Sequence, residues 1–171
     1  MFFAETFYAK MTNAVCESYN ESWVIVHYCR LKAYSRNKTS LHINATFLYP
    51  AHNIFLRMKV MKKANGYKPF LFDYTFDACE FMRKRNQPFA KMVWNMVKDV
   101  STINHTCPYV GLQVVNDFHH IQLPLPWPGG DYVLFLIGFL MGSHSLRPMV
   151  SVSHLWKIYN RHPSYYVFNT T

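Results

Sequence analysis

The pattern of hydrophobic and polar positions is clearest at residues 65–79, N-G-Y-K-P-F-L-F-D-Y-T-F-D-A-C. Phe70, Phe72, Tyr74 and Phe76 fall on one side of a period-two alternation, and Leu71, Asp73, Thr75 and Asp77 on the other. That period predicts a strand with two unlike faces. Asn65-Gly66 before it reads as a turn, because both residues tolerate positive φ. Four aromatics on one face supply more apolar surface than a strand needs to hold register, so the face covers a core or lines a cavity. The strand ends at Cys79; a basic run and a helix-like segment follow, then Cys107-Pro108. The stretch reads as an aromatic strand and a helix clipped together by one disulfide.

Before it, residues 7–16 predict a first strand, residues 20–22 a polar turn, and residues 23–34 a second strand, β-branched at its start. The turn lies midway between Cys16 and Cys29, so hairpin pairing is expected to bring these cysteines close, without fixing the register. After a second polar turn at residues 36–39, residues 41–48 alternate again. Leu41, Ile43, Ala45 and Phe47 face one way and His42, Asn44 and Thr46 the other. Pro50 is expected to break the chain. Residues 54–61 repeat the pattern, with Ile54, Leu56, Met58 and Val60 inward and Arg57 and Lys59 outward. Successive strands with short turns predict an antiparallel meander.

Pro88 suits a first helical position, and Phe89, Val93, Trp94, Met96, Val97 and Val100 form one broad apolar face over residues 88–100. Residues 112–115 predict a short strand. Residues 123–130, L-P-L-P-W-P-G-G, exclude helix and central strand, since proline lacks an N–H. Residues 131–141 are apolar at both parities, as in a strand buried on both faces, and residues 149–158 form the last strand. The expected architecture is all-β with one helix: about eight strands in an antiparallel two-sheet sandwich. It spans one domain, residues 7–160, with a poorly ordered tail at 161–171.

Charge adds a question about partners. Eighteen Lys and Arg against nine Asp and Glu give a net charge of +9. That suits a polyanionic partner. The cations are scattered, however, and no nucleic-acid motif accompanies them, so nucleic acid is set aside.

Two independent signals point outside the cell. The four cysteines, Cys16, Cys29, Cys79 and Cys107, are even in number and form no C-x-x-C pair, which favours two disulfides. Acceptor sequons occur at Asn20, Asn37, Asn44, Asn104 and Asn169, five where random placement of the Asn, Ser and Thr in the chain gives about 1.3. The opening M-F-F-A-E-T-F-Y-A-K has no basic n-region, apolar h-region or cleavage site. A signal peptide is thus absent from this sequence, and the true start is expected upstream. The longest apolar run, residues 132–142, is 11 residues long, short of the ~20 that a membrane-spanning helix needs.

A search for chemistry finds no G-x-S-x-G, no H-E-x-x-H, no P-loop and no G-x-G-x-x-G. Asp73 and Asp77 sit four residues apart on one strand face, roughly 13 Å, too far for paired glycosidase carboxylates. His119 and His120 point to opposite faces of a strand, and no metal-ligand spacing surrounds them. A non-enzyme without metal or cofactor is expected. The surplus apolar surface instead suggests a hydrophobic-ligand pocket, with Phe70, Phe72, Tyr74, Phe76, Trp94 and Phe135 as candidate ligand-binding residues. Arg57, Lys59, Lys62 and Lys68 on rim strands are then available to an anionic head group. Two other classes stay open: an interaction module that binds a membrane receptor or channel through its surface, and a lipid-surface protein acting through its basic face.

Five ordered blocks carry a family resemblance: T-N-A-V-C-E-S from Thr12, Y-C-R-L-K from Tyr28, N-G-Y-K-P-F-L from Asn65, D-A-C-E-F from Asp77 and I-N-H-T-C-P-Y from Ile103. Together with Leu123-Pro124 and P-G-G-D-Y from Pro128, they resemble a large insect family of secreted proteins of unknown function related to the chemosensory B (CheB) proteins of flies. The match covers roughly residues 10–158. That family is in turn distantly similar to the lipid-recognition (ML) superfamily that includes the ganglioside activator, immunoglobulin-like β-sandwiches that hold lipid between two sheets. The shared features are Cys107-Pro108 and Gly130-Asp131-Tyr132. The resemblance implies disulfides Cys16–Cys29 and Cys79–Cys107. It also implies binding of a lipid or pheromone-like molecule outside the cell, in the setting of chemosensation.

Overall fold

The computed structural model describes residues 6–119, 121 and 127–161. Asn169, the rest of the expected tail beyond Arg161, His120, and Pro124 and Pro126 lie outside them. Eight strands form among the described residues: β1 Thr6–Ser18, β2 Val24–Ser35, β3 Lys38–Ala51, β4 Ile54–Ala64, β5 Gly66–Asp77, β6 Tyr109–Phe118, β7 Gly130–Met141 and β8 Leu146–Arg161. Two short helices, α1 Ala78–Lys84 and α2 Pro88–Val97, lie between β5 and β6. The strands make two antiparallel sheets, β1-β8-β7-β4-β5 and β2-β3-β6. The fold is an all-β sandwich.

The alternation places the strands as expected, but the connections differ. β2–β3 and β4–β5 are hairpins, whereas the chain changes sheet between β1 and β2 and again between β3 and β4. The simple meander is therefore corrected. Residues 19–23 drive the first change. Asn20 O accepts from the N–H groups of Trp23 and Val24, and Ser18 Oγ donates to Val24 O, which turns the chain out of one sheet and into the other. Cys16–Cys29 consequently joins strands of opposite sheets, not the two arms of one hairpin. Pro50 lies inside β3, at a register irregularity between Phe47 and Ala51 where the missing N–H is tolerated.

Gly66, at φ +81°, turns β4 into β5 beside Asn65. Lys59 pairs with Asp73 and Met61 with Pro69, so β5 carries two extra residues opposite Val60, with Leu71 among them at φ +63°. Two extra residues leave the side-chain parity intact. Phe70, Phe72, Tyr74 and Phe76 still share the better-buried face, while Leu71, Asp73 and Thr75 are exposed.

The helix expected at residues 88–100 forms as α2 and finishes as a 3-10 turn, Lys98–Val100. α1 was not expected, because the strand pattern was carried through to Cys79. Asp77 ends that strand as an N-cap, accepting from Glu80 N at 2.9 Å. Glu80 pairs with Lys84 one turn on, and Arg85, in the left-handed conformation, closes the helix by donating to Phe81 O. Cys79 of α1 bonds to Cys107, whose peptide bond to Pro108 is cis.

Two apolar clusters fill the sandwich. One joins Met11, Leu41, Val60, Phe118, Trp127, Tyr132, Leu134, Trp156 and Ile158. The other, under the helices, joins Met58, Phe76, Phe81, Met82 and Ala90.

Candidate functional site

A cavity of about 290 Å³ lies between the sheets, closed on one flank by α2. The inward parity of β3 gives it Leu41, Ile43, Ala45 and Phe47. Facing them across the sandwich are Ile54, Leu56 and Met58 of β4, and Leu134, Leu136 and Gly138 of β7. α2 contributes Ala90, Val93, Trp94, Met96 and Val97, the apolar face of the expected helix. β8 adds Val150, Val152, His154 and Trp156. Native interiors leave few voids larger than a water molecule. A void of this volume with a hydrocarbon wall sits just under the range of ligand pockets, roughly 300–1,000 Å³.

The wall's polar side chains are few. Gln113 is satisfied: it accepts from Thr102 Oγ1 at 3.0 Å and donates to Val110 O at 3.2 Å. Ser101 Oγ accepts from Ile103 N at 2.9 Å. His154 is 4% exposed, and its Nδ1 accepts the indole N–H of Trp156. Burial pushes its pKa down to about 4, so the imidazole is neutral at physiological pH. Trp94 Nε1 is buried without a partner among the described residues. Arg85 stacks over the Trp94 ring at 3.7 Å from its centroid.

Of the six residues chosen from sequence, Phe76 and Trp94 line the cavity. The other four do not. Phe70 packs against Trp127 and Tyr132, at 5.6 and 5.3 Å between centroids, and helps close one end of the sandwich. Phe72 is held by Phe89 at 4.5 Å, and Tyr74 lies between Phe72 and Phe76. β5 is an edge strand, so its aromatics reach the helices and the sandwich end before they reach the middle. Phe135 has the opposite parity to Leu134 and Leu136, pairing with Lys59 and Ser153 on the outer face. Arg57 is also outside, bound to Asp73 by two hydrogen bonds of 2.7 Å, and so does not meet the cavity. His154 was missed, although its period-two series with Val150, Val152 and Trp156 marks it as an inward histidine.

A second, open cleft of about 310 Å³ at one end of the sandwich is lined by Asn20, Trp23, His52 and Arg147 among others. Among the described residues no three His, Cys, Asp or Glu side chains cluster as a metal site would require, and no helix is long and apolar enough to cross a membrane.

The walls of the cavity fall partly within a segment that matches a known family model. Residues 56–134 match the family described as "Protein of unknown function (DUF1091)". The DUF1091 match runs from β4 through both helices and β6 into β7, and contains the Cys79–Cys107 bridge. β1, β2, β3 and β8, which complete the cavity wall, lie outside it. No curated protein matches the chain.

Proposed function

We propose that this protein is an extracellular, non-catalytic binding protein that holds a small hydrophobic ligand, a lipid or pheromone-like molecule, between its two sheets. The observation that carries this reading is the inter-sheet cavity, walled by apolar side chains from both sheets and from α2. The resemblance to the chemosensory B proteins and to the immunoglobulin-like sandwiches of the lipid-recognition superfamily belongs to the same proposal. Two disulfides support an oxidising compartment. Glycosylation at the exposed Asn20, Asn37 and Asn104, and at the half-buried Asn44, fits it.

The test is native mass spectrometry of the protein secreted from insect cells behind an added signal peptide, with extraction of any released molecule. Ala45 sits on the cavity wall of β3, and Ala45→Phe places a ring in the void. A stoichiometric apolar molecule present in the wild type and absent from folded Ala45→Phe is the expected result. A folded, disulfide-bonded wild type that stays empty against a broad lipid panel sinks the reading.

One observation favours a second reading, a surface that binds a receptor or channel. Tyr28, Arg30, Lys32 and Tyr34 are exposed along β2, with Arg30 over Tyr28 at 5.7 Å and Lys32 over Tyr34 at 5.1 Å. An empty but folded protein moves the assignment to that face.

A further inference from the structure

The wall of the cavity has a chemical polarity as well as a shape. Two N–H donors of wall residues have no hydrogen bond among the described residues: Nε1 of Trp94, which is fully buried, and Nε2 of His154, on a residue of the cavity lining. The assignment at His154 follows from its neighbour. Nδ1 accepts the Trp156 indole N–H, so the neutral ring must carry its own proton on Nε2. His154 makes no other hydrogen bond among the described residues, is 4% exposed, and is part of the cavity wall. Nε1 of Trp94 is likewise unpartnered. A buried donor left without an acceptor, as Nε1 of Trp94 is, is destabilising, and an acceptor on the ligand relieves it. The remaining polar side chains of the wall, Ser101, Tyr109 and Gln113, are engaged within the protein, Tyr109 by donating its hydroxyl to His105 O.

From this we infer that the ligand is a neutral molecule with a hydrogen-bond acceptor oxygen on a hydrocarbon body, such as a ketone, aldehyde, ester or ether, and that His154 Nε2–H is the donor that meets it. The inference rests on the ligand-binding reading above and narrows it. A pure hydrocarbon leaves the donor unsatisfied. A carboxylate brings an unpaired charge into a wall with no cation, which is strongly disfavoured. Size is bounded too. A ~150 Å³ apolar cavity takes one benzene, so 290 Å³ takes on the order of a dozen non-hydrogen atoms.

The experiment measures affinities of the full chain for 2-undecanone, undecane and decanoate at neutral pH, for the wild type and His154→Leu. The expected result is that the ketone-to-alkane affinity ratio falls about tenfold in His154→Leu, with decanoate weaker than the ketone in the wild type. A second measurement needs no variant: ¹⁵N-labelled histidine in the wild type reports Nε2 as the protonated nitrogen, and its proton signal moves with 2-undecanone but not with undecane. An affinity ratio unchanged by His154→Leu, an Nε2–H signal indifferent to the ketone, or decanoate binding tightest overturns the acceptor assignment while leaving a ligand cavity in place. Uptake of none of the three by the wild type overturns both.

Discussion

Cys16 on β1 is bonded to Cys29 on β2, and these strands belong to opposite sheets. The bridge ties the sandwich together at the wall of its cavity, since Cys16 is one of the lining residues. It closes a loop of 13 residues in sequence. Chain-entropy reasoning gives such a loop about 3 kcal/mol of stabilisation. The double variant Cys16→Ala, Cys29→Ala is expected to lose about that much in urea unfolding. A loss below about 0.5 kcal/mol shows that the sheets are held together without it.

Stability is also expected to depend on pH through His154. Folded, it stays neutral down to about pH 4, because burial penalises the charged ring; unfolded, it titrates near 6.5. Between those values the unfolded chain binds a proton that the folded chain does not, so stability falls as pH falls through that window. The total loss is on the order of 3 kcal/mol. Carboxylates act lower: the hydrogen bond from Arg57 holds Asp73 below the usual range, so its contribution is lost only under still more acid conditions. Urea titrations from pH 7 to pH 4 on the wild type and His154→Gln separate the two effects. Parallel pH curves for the two proteins refute the role given to His154.

Phe76 and Phe135 make a matched pair for testing which face of the larger sheet matters. Phe76 is 8% exposed and lines the cavity; Phe135 is half-buried on the outer face. Phe76→Ala is expected to destabilise by about 3 kcal/mol and to enlarge the cavity. Phe135→Ala is expected to lose less, under about 1.5 kcal/mol, and to leave uptake of 2-undecanone unchanged. If the Phe135 variant is the one that alters uptake, the ligand lies outside the sandwich.

Much of the fold was legible because strand parity is a local property. The alternations at Leu41–Phe47 and Ile54–Val60 place two facing walls of the cavity, and the apolar face of residues 88–100 places its flank. What parity does not encode is which sheet a strand joins. That is decided at residues 19–23 by a few hydrogen bonds to Asn20 O, and β1 and β2 separate there. For the same reason the densest aromatic strand, which the sequence singles out, is not the one that lines most of the cavity. Phe70, Phe72 and Tyr74 do face inward, but an edge strand meets the ends of the sandwich and the helices, while the middle belongs to β3, β4 and β7. α1 was hidden because Asp77 fits both the strand alternation and the cap of a helix with Glu80 three residues on. His154 was passed over as one of nine histidines, when its neighbours at 150, 152 and 156 already gave its direction.

The two extra residues in β5 reach beyond their own hairpin. Because β5 is the last strand of its sheet, its outer backbone groups are a comb onto which another extended chain could add. Leu71, at φ +63°, breaks that comb in the middle, and Pro69 brings no N–H to either side of the strand. A strand docking there would find its hydrogen bonds out of step after two or three residues. An edge interrupted in this way is a poor template for a second strand.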